Sequence, residues 1–201
     1  KAEYDAYGIA DSGEPLDPSI GTLRKMYKDT GWDKMNTGAK QFYVDHVSDR
    51  YTKRGDLYIN PKGEEVIAYT RRNFWDNNTS SISFSRHAFG SKIKLGFVMA
   101  HELGHSMLNL YPAFNALRFD KTIKGYENAI IPGAGGISVD HAAIWGLEND
   151  FITKNGLKDV GLPGFFKNTS QMQGIFNSYI LKNVTYKQLY EKIKILSVKI
   201  K

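Results

Sequence analysis

The stretch that decides how this chain is read is His101-Glu102-Leu103-Gly104-His105, set late in an apolar run from Ile93 to Leu110. On a helix, residues i and i+4 lie nearly above one another. His101 and His105 can then point two imidazole nitrogens at one metal ion, at about 2.0–2.1 Å each for zinc. Glu102 sits about 100° further round the helix. It can touch a water held by that metal but is too far round to be a third ligand from the same turn. The flanks agree with a buried helix. Val98, Met99 and Ala100 precede the histidines, Ser106 and Met107 follow, and no charged residue except Glu102 interrupts Leu95 to Leu110. Two histidines and a glutamate are costly in such a helix unless something satisfies them.

With uncharged residues at these flanking places and an apolar residue two after the second histidine, the stretch resembles the zincin metallopeptidases. The resemblance implies an α+β fold: a small antiparallel or mixed sheet packed on the metal-binding helix, then a helical C-terminal half. It also implies a zinc-dependent endopeptidase, with His101 and His105 as ligands to Zn2+. Glu102 would be the general base on the metal-bound water.

A catalytic zinc wants three protein ligands and an open position. The metzincin branch would continue with Gly at 108 and His at 111. This chain has Leu108 and Tyr111, which excludes it. The thermolysin-like branch would supply a Glu with an Asp four residues later. Glu127 is followed by Ile131 and Glu148 by Ile152, so neither fits. The best second helix is Ser138–Thr153, entered through Pro132-Gly133-Ala134-Gly135-Gly136. His141 lies in its first turn and Glu148 seven residues on, on the same face. His141 is the expected third ligand, with Glu148 orienting an imidazole. Glu148 and Asp140 are the competing ligands. Tyr111, Tyr126 and His87 are candidate oxyanion donors. His46 and His87 read as surface or core histidines rather than ligands.

Around this centre, 201 residues suit one domain, with residues 1–16 as an extended lead-in broken by Gly8, Gly13 and Pro15. Asp17-Pro18 signals a helix start, with Ile20, Leu23, Met26 and Tyr27 apolar and Gly31 as the stop. The period then changes to two. Gln41–Val47 reads as a strand, Asp56–Asn60 and Glu65–Arg71 as a hairpin around Asn60-Pro61-Lys62-Gly63, and Ser81–Ser85 as the strand before the metal helix. In zincins the strand before that helix borders the cleft at a sheet edge, which makes Ser81–Arg86 the candidate for strand addition by a peptide; an interior strand fits the sequence equally. Ser170–Leu181 reads as a helix. A last helix has a capping box at Thr185 and Gln188, with Leu189, Ile193, Leu196 and Ile200 at helical spacing.

Composition limits the partners. There is no cysteine, hence no disulfide, thiolate ligand or cysteine nucleophile. No stretch reaches the roughly 18–20 apolar residues of a membrane span. The net charge is +6, and Lys182, Lys187, Lys192, Lys194, Lys199 and Lys201 crowd the C-terminus with Glu191 as the acid among them. These lysines alternate with apolar residues and include no Arg cluster. That favours a solvated face over a nucleic-acid surface.

The opening Lys1-Ala2-Glu3-Tyr4 shows neither leader pattern nor initiator Met, as expected of a mature product or of a domain from something longer. Tyr4-Asp5-Ala6-Tyr7-Gly8 resembles the Tyr-Asp repeats in the shells of Rhs-type polymorphic toxins. That resemblance implies a C-terminal toxin domain, secreted or delivered into a target cell. It would cleave a protein or peptide there and be held in check by an immunity protein. Two other functions remain open: a non-catalytic zincin-fold binding domain, and a basic nucleic-acid-binding toxin.

Overall fold

The computed structural model describes residues 13–73, 79–110, 139–157 and 186–201, and the side chains of all of these except 139–142 and 186. Among them the class is α+β, with two small sheets and four α-helices. The expected helix at 170–181, the glycine loop at 133–136, Tyr111, Tyr126 and Glu127 lie outside the described residues, as does most of the lead-in.

Helix α1, Ile20–Asp29, begins two residues later than Asp17-Pro18 suggests. Ser19 is extended, and its hydroxyl accepts from Thr22 N at 3.2 Å, so the serine takes the capping role. Leu23 and Met26 are buried. Gly31 follows in the left-handed region at φ 76° and turns the chain toward Trp32, which is fully buried.

One sheet holds β1 (Ala39–Val44), β5 (Ala68–Arg72) and β6 (Ser80–Phe84) in the order β1-β6-β5. β1 runs parallel to β6 and β5 antiparallel to it. The second sheet is antiparallel, from β2 (Thr52–Arg54), β3 (Leu57–Ile59) and β4 (Glu65–Val66). The hairpin read over 56–71 therefore divides. Its turn forms as expected, with Asn60 Oδ1 accepting from Lys62 N and Glu64 N at 3.0 and 2.9 Å. Its second arm then breaks at Ile67, fully buried between the sheets, where Ser85 N bonds the Ile67 carbonyl. Strand β2 is exposed throughout and has no apolar alternation to betray it.

The edge position expected of Ser81–Arg86 is corrected. β6 is hydrogen-bonded on both sides, and Ile82 and Phe84 are fully buried. With a neighbour on each side, its backbone has no open row of N–H and C=O groups to offer a peptide. Among the described residues β5 is the edge strand that packs on the central helix.

That helix, α2, spans Lys92–Asn109 and is capped by Ser91, whose hydroxyl accepts from Lys94 N at 3.1 Å. It is buried on nearly every side: the sheet lies on one flank and α3 (Val139–Lys154) and α4 (Tyr186–Ile193) on others. Gly104 allows close approach to α3, since a Cβ there would stand 3.2 Å from Leu147. The terminal helix read through Ile200 is shorter. It stops at Ile193, passes through a 3-10 turn to Leu196 and becomes extended. Side chains take the backbone groups a helix would have used. Trp32 Nε1 donates to Leu196 O at 3.2 Å, and Asn155 bonds both Val198 O and Ile200 N. Ile200 still reaches the core, lying directly over Gly96 of α2. No helix among the described residues is long and apolar enough to cross a membrane.

Candidate metal centre

The i, i+4 spacing does what helical geometry requires. His101 Nε2 and His105 Nε2 face each other 3.1 Å apart, with ring planes at 66°. His101 is buried and His105 half-buried. On its other side, His101 Nδ1 meets Glu148 Oε1 at 2.6 Å, and both residues are almost fully buried. A carboxylate at Nδ1 draws the ring proton to that nitrogen, which leaves a lone pair on Nε2 aimed at His105.

This donor set fits a divalent ion. Two nitrogens at about 2.0–2.1 Å from a tetrahedral zinc stand roughly 3.3 Å apart, close to the 3.1 Å between these two. The same separation suits an N–H···N bond, so the carboxylate behind His101 is the more telling feature. Glu148 reaches the nitrogen turned away from His105, which is the place of an orienting group rather than of a ligand.

His141 stands on the first turn of α3, seven residues before Glu148 and on the same helical face. Its side chain, like that of Asp140, lies outside the described residues. Among the described residues, no cluster of three or more metal-binding side chains is present.

Glu102 is buried and its carboxylate is held. Thr70 Oγ1, on edge strand β5, lies 2.6 Å from Glu102 Oε2 and 3.0 Å from the Glu102 carbonyl. One hydroxyl proton serves one acceptor at a time, and the shorter contact is the one to the carboxylate. A second tie, Ser80 Oγ to Ser106 Oγ at 2.7 Å, joins β6 to the same helix. Sequence reasoning missed both partners. The alternation of Ala68, Thr70 and Arg72 could have placed Thr70 on the helix side of its strand, but not beside Glu102.

The remaining histidines separate. His87, in the 3-10 turn before α2, has Nε2 3.4 Å from Lys94 Nζ. Lys94 lies seven residues before His101, on the same face of α2. His46 is exposed and packs its ring beside Tyr43, on a different part of the sheet. No family model matches this chain, and searches of curated proteins and of solved structures find no match either.

Proposed function

We propose that this chain is a zinc-dependent endopeptidase built on the zincin plan. The observation that carries this reading is the pair of facing Nε2 atoms, one of whose rings is braced at Nδ1 by the buried Glu148, with Glu102 the next residue along the helix and its carboxylate bonded to Thr70. His101 and His105 would hold the ion together with His141, whose helical face is the one Glu148 directs toward the pair. When bound, zinc supplies Lewis acidity toward the scissile carbonyl and the attacking water. Glu102 takes the proton of that water and returns it to the leaving amine. Thr70 holds the Glu102 carboxylate against β5 until substrate arrives. β5, paired on one side among the described residues, is the strand an extended peptide could join. We further propose that the domain acts as a secreted or delivered effector on a target-cell protein, with an immunity protein as partner.

The test is elemental mass spectrometry of protein purified without a chelating column, beside digestion of an unfolded protein substrate. Wild type should carry about one zinc per chain and cleave. His141→Ala should lose most of the metal. Glu102→Ala should keep the metal and lose about 100- to 10,000-fold in rate. No metal in wild type after zinc is added back would end the peptidase reading.

A second reading, a non-catalytic binding domain on the same plan, draws on Glu102 being 1 % exposed and bonded to Thr70. It expects zinc or none, and no cleavage by wild type.

A further inference from the structure

Helix α3 ends at Lys154, and Asn155-Gly156 turns the chain away from it. Gly156 stands in the left-handed region at φ 62°. Its N–H donates to Thr153 O at 3.2 Å, and Leu157 N–H reaches back to Ile152 O at 3.0 Å. These are the two bonds of a Schellman stop, with Asn155 as the C-cap. The same pair of residues is chemically labile. The backbone nitrogen that follows an asparagine can attack its side-chain amide, and a following glycine has no Cβ to obstruct the approach. Of the asparagines in the chain, Asn155 is the one followed by glycine.

The extended segment 197–201 holds the Asn155 amide. Asn155 Nδ2 donates to Phe151 O at 2.8 Å and to Val198 O at 2.9 Å, while Oδ1 accepts from Ile200 N at 2.8 Å. Both amide N–H donors are thereby used. The segment is also seated by other means: Ile200 lies over Gly96, Lys154 Nζ donates to Ser197 O and Lys92 Nζ to Lys201 O. Asn155 is half-buried and Gly156 exposed, so water reaches the turn. With the segment docked, three bonds fix the amide and a fourth fixes the Gly156 N–H. Ring closure between the two requires the amide to rotate and that N–H to be given up.

The product of such a reaction fits the same place poorly. A carboxylate only accepts hydrogen bonds. One oxygen could keep the Ile200 N–H, but the other would face the Phe151 and Val198 carbonyls, acceptor against acceptor. The new negative charge would also lie at the carbonyl end of α3, where the helix dipole disfavours it.

We propose that Asn155 is a deamidation site gated by the segment 197–201, and that its product no longer holds that segment. The Gly156 nitrogen bonds to Asn155 Cγ, the Cγ–Nδ2 bond breaks, and ammonia leaves carrying the proton from Gly156 N. Water then opens the ring to aspartate or isoaspartate. Release of the segment frees the amide to react, and conversion prevents its return. The site is separate from the metal centre and holds whether or not the chain binds zinc.

The full chain is incubated in mildly alkaline buffer, and conversion at position 155 is followed by peptide mass mapping. Folded wild type should convert at least about tenfold more slowly than wild type unfolded in guanidinium chloride. Ile200→Ala leaves Asn155 in place but loosens the segment, and should convert about tenfold faster than folded wild type. Gly38→Ala strains the fold near Leu110, at the far end of α2 from Gly96, and should accelerate conversion less. In Asn155→Asp, hydrogen exchange should speed up at Ile200 while α2 stays protected. The proposal is overturned if folded and unfolded wild type convert alike, or if Ile200→Ala is no faster than Gly38→Ala. It is equally overturned if Asn155→Asp keeps wild-type protection at Ile200, or loses protection throughout α2 as well.

Discussion

Glu148 is the residue whose removal separates orientation from ligation. Its carboxylate braces His101 Nδ1 at 2.6 Å. Glu148→Gln keeps the size but weakens that brace, and zinc affinity should fall about 10- to 100-fold. Competition with a fluorescent chelator measures this; loss of the whole metal site would instead mark Glu148 as a ligand. Tyr58 makes a different point. Burial pushes its phenol well above the ordinary range, helped by the nearby charge of Asp45 and by Tyr69. The hydroxyl donates to Phe84 O at 2.9 Å, a bond only the neutral phenol makes. Tyr27 is raised too, chiefly by burial. A folded pKa above the unfolded one means the folded chain stays protonated while the unfolded chain ionises near pH ~10. The stabilisation is full below that pH and is lost as pH rises toward the folded value. Urea midpoints should therefore fall between about pH 9 and 11, and Tyr58→Phe should flatten that fall while costing about 1 kcal/mol at neutral pH.

Among the elements, the joint before β1 is tightly constrained. Gly38 sits at φ 71°, and a Cβ there would come 2.9 Å from Leu110 Cδ1, at the end of α2. Its carbonyl accepts from both Ser80 N and Ser80 Oγ, so the same residue ties β1 to β6. Gly38→Ala should cost about 1–3 kcal/mol, from the left-handed backbone and the displaced Leu110. Thermal unfolding followed by circular dichroism reads this directly. An unchanged midpoint would mean that Leu110 moves aside freely and the backbone relaxes. The strands around this joint were legible where one face alternates, as in β6. They were not where a strand is wholly polar, as in β2, or where one apolar run serves two sheets, as at Ile67. In both cases the partner strand, rather than the local pattern, decides the pairing.

On the scale of the whole molecule, the C-terminal tail closes the fold against α2. Asn155 Nδ2 donates to Val198 O at 2.9 Å, and its Oδ1 accepts from Ile200 N at 2.8 Å. Asn155→Ala removes both bonds, so amide protection should be lost first at Ile200, whose N–H Asn155 accepts, with about 1–3 kcal/mol of global stability. Hydrogen exchange read by mass spectrometry tests this; unchanged protection of the tail would mean that Ile200 over Gly96 holds it alone. What the sequence determined by itself is what short-range periodicity carries. A 3.6-residue repeat put His101 and His105 on one face of an apolar helix and stacked His141 with Glu148. Period-two alternation marked the sheet. Start and stop signals placed the ends of α1 within about two residues. Tertiary structure decided which neighbours those faces meet: Glu148 on His101 Nδ1, Thr70 on Glu102, β6 in the middle of its sheet, and a tail that leaves the helix at Ile193. These contacts join residues tens of positions apart. Their energy comes from satisfying buried polar groups that no local pattern can see.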